Sequence, residues 1–121
     1  MKQVYLAVFA LTCLSSPAAS RPAGVSTEGM LNCAQWAGAR KVRASNVYET
    51  YLLGLLNGLS LGSGTEFWFA KGKEVKREQV FYWMDIYCQV HPLSEVVTGA
   101  VALVNENTGN EYSRRVNAQP D

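Results

Sequence analysis

Few residues of this chain could do chemistry. There are three cysteines, Cys13, Cys33 and Cys88, and one histidine, His91. Cys88 and His91 stand three apart, which suits two metal ligands on one helix face, but two ligands are too few for a structural zinc site. Acid–base catalysis needs carboxylates paired in a protected cleft, and Glu66, Asp85 and Glu95 carry no local signature of that arrangement. A serine nucleophile would have only His91 as its base. Gly62-Ser63-Gly64 follows no strand, so it is not a nucleophile elbow, and no phosphate-cradling glycine loop occurs. The expectation is a protein that is not an enzyme, with no cofactor and no metal, in which His91 beside Pro92 caps a helix end.

The cysteines take their meaning from the N-terminus. Lys2, an apolar run from Val4 to Leu14 and the small-residue stretch from Ser15 to Ser20 are the three zones of a secretory signal, cleaved after Ser20 or after Ala18. The run is well short of the roughly 20 apolar residues that span a bilayer, so no membrane anchor is expected in the mature form. Cys13 would be a lipid-attachment site only with Gly or Ala just before it, and Thr12 stands there. Export discards Cys13 and leaves Cys33 and Cys88 in an oxidising compartment. They then read as one disulfide, the alternative being two free buried thiols.

Loss of Lys2 also leaves ten basic residues against ten acidic ones. The short basic runs Arg40-Lys41-Arg43, Lys71 to Arg77 and Arg114-Arg115 read as solvated surface, and nucleic acid is not an expected partner.

These residues sit on helices. Residues 1–20 are the signal peptide and 21–28 a flexible lead-in with Pro22 and Gly24. A helical domain spans 29–108, and 109–121 is a polar tail without an apolar stripe, expected to be disordered. The first helix is capped by Thr27, carries Met30, Cys33, Ala34 and Ala37 with Trp36 beside them, and ends in the basic residues around Arg40. The second is capped by Ser45, with Tyr48, Tyr51, Leu52, Leu55 and Leu59 at intervals of three and four.

The third helix has an apolar stripe of Val80, Trp83, Met84, Tyr87 and Cys88 and a polar face of Glu78, Tyr82, Asp85 and Gln89. Pro92 opens a fourth, with Leu93, Val96, Val97, Ala100, Leu103 and Val104 facing the core. No strand-period segment is present. The fold class is all-α, a compact bundle of about four helices with one inter-helix disulfide.

Two features remain. Gly54, Gly58 and Gly62 recur every four residues in the second helix, each at a cost of about 1 kcal/mol against alanine, and close approach of another helix is the expected compensation. The aromatic runs Phe67-Trp68-Phe69 and Phe81-Tyr82-Trp83 are the second. Consecutive side chains on one helix cannot all face one neighbour, so Phe81 and Tyr82 fall at the border of the core or outside it. With Phe67, Trp68 and Phe69 they are candidates for binding a protein partner, although Phe67 to Phe69 can equally close the end of the bundle.

The pattern Tyr51-Leu52-Leu53-Gly54-Leu55-Leu56-Asn57-Gly58, then Val80 to Tyr87, then His91-Pro92-Leu93, resembles the small periplasmic immunity proteins of type VI secretion (Rap/Tai type) over Met30 to Glu106. A weaker likeness is to HdeA-like periplasmic acid-stress chaperones, also small, helical and held by one disulfide. The first resemblance implies a periplasmic protein that neutralises a cognate toxin or effector, often a cell-wall amidase, and a possible homodimer. The second implies an acid-stress chaperone.

Overall fold

A computed structural model describes residues 28–118. The signal peptide at 1–20 and the Thr27 cap lie outside those residues, as does nearly all of the 21–28 lead-in. Five α-helices follow in order: α1 Cys33–Lys41, α2 Asn46–Ser63, α3 Arg77–Val90, α4 Val96–Thr108 and α5 Glu111–Ala118, with a short 3-10 turn at Ala70–Gly72. The all-α reading holds, with one helix more than expected. No helix among the described residues is long and apolar enough to cross a membrane.

The first helix begins later than its apolar spacing suggests. Asn32 is its cap: the Gln35 N–H donates to Asn32 Oδ1 at 2.9 Å and the Asn32 N–H to Gln35 Oε1 at 3.0 Å, a reciprocal capping box. Met30 is therefore not helical. The backbone on either side of Asn32 is held extended against the turn before α4, through Cys33 N–H to the Ser94 carbonyl and Val96 N–H to the Leu31 carbonyl. Within α1 the inward residues are Cys33 and Trp36.

The second helix starts after Ser45, as expected, but the hydroxyl of Ser45 meets Glu49 Oε1 at 2.6 Å and caps no backbone group. Left-handed Gly64 ends it, a conformation that costs glycine little. The chain then loops through a buried Phe67 and the 3-10 turn, and Val75 N–H closes the loop on the Trp68 carbonyl at 2.8 Å.

The core is one cluster centred on Trp36, Leu52, Leu56, Met84, Val96 and Val104. Burial of Val80, Met84 and Cys88 follows the stripe read for α3, with Trp83 and Tyr87 half-buried at its flank. Cys33 and Cys88 form the disulfide across α1 and α3, their Cα atoms 4.9 Å apart.

Three expectations are corrected. Leu93 is 98% exposed, because Pro92 opens a turn and α4 begins only after Glu95. The tail is not disordered over 111–118: left-handed Gly109 and Asn110 reverse the chain, and α5 lies back on α4 and α2 with Tyr112 against the core. Ser113 N–H and Oγ–H both donate to Asn105 Oδ1, at 3.1 and 2.9 Å, fixing that return.

The third correction concerns Gly54, Gly58 and Gly62, which are exposed with no described residue within 4 Å of an added Cβ, so none of the described helices packs on them. The close approach falls instead at Gly99 in α4, where a Cβ would stand 2.8 Å from Tyr87 and 2.9 Å from Met84 Sδ.

Candidate functional site

The residues with chemical potential do not converge. Cys88 is spent on the disulfide, which removes it as a ligand beside His91. No group of three or more His, Cys, Asp or Glu among the described residues is arranged to hold a metal ion. His91 is the C-cap of α3, its ring 4.6 Å from that of Tyr87, which in turn stacks on Trp83 at 5.3 Å.

The three acidic residues have separate settings. Glu95 is the N-cap residue of α4 by its backbone alone, its carboxylate capping no N–H, and Glu66 Oε1 accepts the Phe69 N–H at 3.1 Å. Asp85, read as part of a polar outer face, turns toward α1. It accepts from Trp36 Nε1 at 2.8 Å and from Arg40 Nε and Nη2 at 2.9 and 2.8 Å. Arg40 also reaches Glu49 Oε1 at 2.6 Å and lies over the Trp36 and Phe81 rings, 5.8 and 5.9 Å from their centroids. The hydrogen bonding that Arg40 donates to Asp85 is the largest influence raising the Arg40 pKa above its ordinary value, partly offset by desolvation. This network ties α1, α2 and α3 together through side chains engaged with one another, so it is a clamp.

The candidate aromatics separate into three environments. Phe67 is fully buried, which removes it from any partner surface; its ring meets that of Trp68 edge-on at 4.9 Å. Trp68 and Phe81 are half-buried and flank hollows that follow each other along α2. Phe81 shares the first with Leu53, and Leu53 shares the second with Asn57 and Trp68. Asn57 and Trp68 then border a third with Leu61. Phe69 is exposed at the loop tip.

Tyr82 belongs to a different surface. On α3 it stands in line with Ile86 and Val90, one turn apart each, and Leu93 follows in the exposed turn after the helix. These four are 67%, 44%, 67% and 98% exposed. No lysine, arginine or glutamate lies between Glu78 and Glu95, and the one aspartate, Asp85, is turned to Arg40. The four side chains are therefore uncharged and, among the described residues, exposed. The sequence reading found only Tyr82 of these four, although the i, i+4, i+8 spacing of Tyr82, Ile86 and Val90 was there to be seen.

The chain matches no family model, no curated protein and no solved structure. The structure and its chemistry are thus the ground on which a function is argued.

Proposed function

We propose that this chain is an exported, non-enzymatic protein-binding domain of the periplasm, an immunity protein that inhibits a cognate toxin. The row Tyr82, Ile86, Val90 and Leu93 carries the reading. Apolar side chains scattered singly on a surface need no explanation, but three aligned on one helix edge with a fourth in the turn that follows, none of them charged, have the composition of an interface centre. A tyrosine at such a row is the residue type that most often concentrates binding energy. The signal-like N-terminus and the likeness to type VI immunity proteins supply the compartment and the kind of partner.

The test is protection. Periplasmic expression of the proteins encoded beside this gene should arrest growth in one case, and co-expression of this chain should restore it. Failure to protect against every neighbour sinks the immunity reading.

The acid-chaperone reading draws on one observation, that His91, the only histidine, directly follows Val90 of the same row. It requires suppression of client aggregation at low pH, and a chain that is inert toward clients under acid conditions dismisses it.

A further inference from the structure

The loop that closes the end of α2 leaves a hollow of about 460 Å³ bordered by Asn57, Ser60, Leu61, Thr65, Glu66 and Trp68. Its walls differ in character. The Trp68 indole is one, held in place by donation from its Nε1–H to Asn57 Oδ1 at 2.6 Å and by the Phe67 ring set edge-on against it. Leu61, 84% exposed, is an apolar lip. Glu66 is in no ion pair among the described residues and has its second carboxylate oxygen free of the Phe69 N–H.

Ser60 and Thr65 each hold a buried hydroxyl with no hydrogen-bond partner, and Thr65 is 2% exposed. Buried hydroxyls are ordinarily paired, and these two lie beneath the wall of the hollow.

We infer that this hollow receives the side chain of an arginine from a protein partner. A flat cation stacks on an indole face, and a guanidinium does so while forking onto a carboxylate. Its N–H donors suit a wall whose free acceptor is the Glu66 carboxylate. A lysine brings the charge without the plane. An acidic ligand would face Glu66, and an apolar one would leave its carboxylate unmatched.

None of the lining residues is basic. The guanidinium of Arg115 reaches the rim, its Nη1 3.5 Å from an added Cβ on Gly64, and it is paired with Glu111, with Nε 2.8 Å from Oε1. The inference rests on the protein-binding reading for the source of the arginine, and on the hollow alone for its chemistry.

The experiment is a titration of the ¹⁵N-labelled protein with the blocked tripeptide Ac-Gly-Arg-Gly-amide and with its neutral citrulline counterpart, following the indole N–H resonances. The Trp68 resonance, assigned by Trp68→Phe, should shift saturably with the arginine peptide. The citrulline peptide should bind about fivefold more weakly, and Glu66→Gln should weaken the arginine peptide by about the same factor. The Trp36 and Trp83 indoles, bonded to Asp85 and Glu106, should stay in place and report that the variant is folded.

No shift, equal titration by both peptides, or an unchanged affinity in Glu66→Gln overturns the inference. A toxin that binds Glu66→Gln as tightly as the wild type removes the hollow from the interface and leaves the immunity reading standing. A peptide that titrates as expected while no toxin binds supports the hollow and removes the immunity reading.

Discussion

Arg40 grips Asp85 across 45 residues of sequence with two parallel hydrogen bonds, Nε to Oδ1 at 2.9 Å and Nη2 to Oδ2 at 2.8 Å. The same carboxylate takes the Trp36 indole N–H at 2.8 Å, so one aspartate anchors the largest side chain of the core and the last turn of α1. Asp85→Ala should cost about 2 kcal/mol, because it strips charge-assisted bonds from a partly buried guanidinium and orphans the indole of a fully buried tryptophan. Urea unfolding measures it, and an unchanged midpoint would mean that the clamp is ornamental.

The disulfide ties the same two helices. Closing an interval of 55 residues is worth about 4 kcal/mol in the chain-entropy account, a large share of the stability of so small a domain. The reduced protein should melt far below the oxidised one. Equal melting temperatures with and without reductant contradict that role.

The glycines give a prediction of opposite signs. Gly99→Ala should destabilise the protein by about 1–3 kcal/mol, since its Cβ would press on the Tyr87 ring and Met84 Sδ. Gly54→Ala and Gly58→Ala should each stabilise by up to about 1 kcal/mol, because both stand in an exposed helix with space around them. Denaturation of the three variants reads this directly, and a destabilised Gly58→Ala would restore the idea that something packs on that face.

Much of this architecture is legible in the residues. The 3.6-residue recurrence of Leu52 and Leu56, of Val80, Met84 and Cys88, and of Ala100, Leu103 and Val104 marks three helices and their inward faces, because burial of one stripe is what holds a helix in a small bundle. The start of α1 was also readable, in Asn32 and Gln35, as a capping box.

What could not be read is tertiary. In α2 leucines lie on several sides, and spacing alone does not say that Leu52 and Leu56 turn inward while Leu61 and the glycines turn out. In α5 the polar sequence conceals a helix kept in place by Asn105 and by Tyr112 on the core. The hollow at Trp68 is made by a loop that brings Thr65 and Glu66 beside Asn57 and Ser60, a juxtaposition no local motif encodes.

The outer row of α3 should matter for binding and little for folding. Ile86→Asp and Leu93→Asp place charges on side chains that are already exposed, so stability should change by less than about 0.5 kcal/mol. The same substitutions should abolish toxin inhibition, because an unpaired charge at an interface centre is desolvated without compensation. Loss of folding in these variants, seen by circular dichroism, would show instead that the row is internal packing.

The most direct measurement is calorimetric titration of the cognate toxin into this chain and into Tyr82→Ala. The account predicts tight one-to-one binding by the wild type and a loss of about 30-fold for the variant, the scale expected when an aromatic anchor of about 2 kcal/mol is removed from an interface centre. Equal affinity for the two proteins, with both folded, would contradict the claim that the α3 row is the working surface.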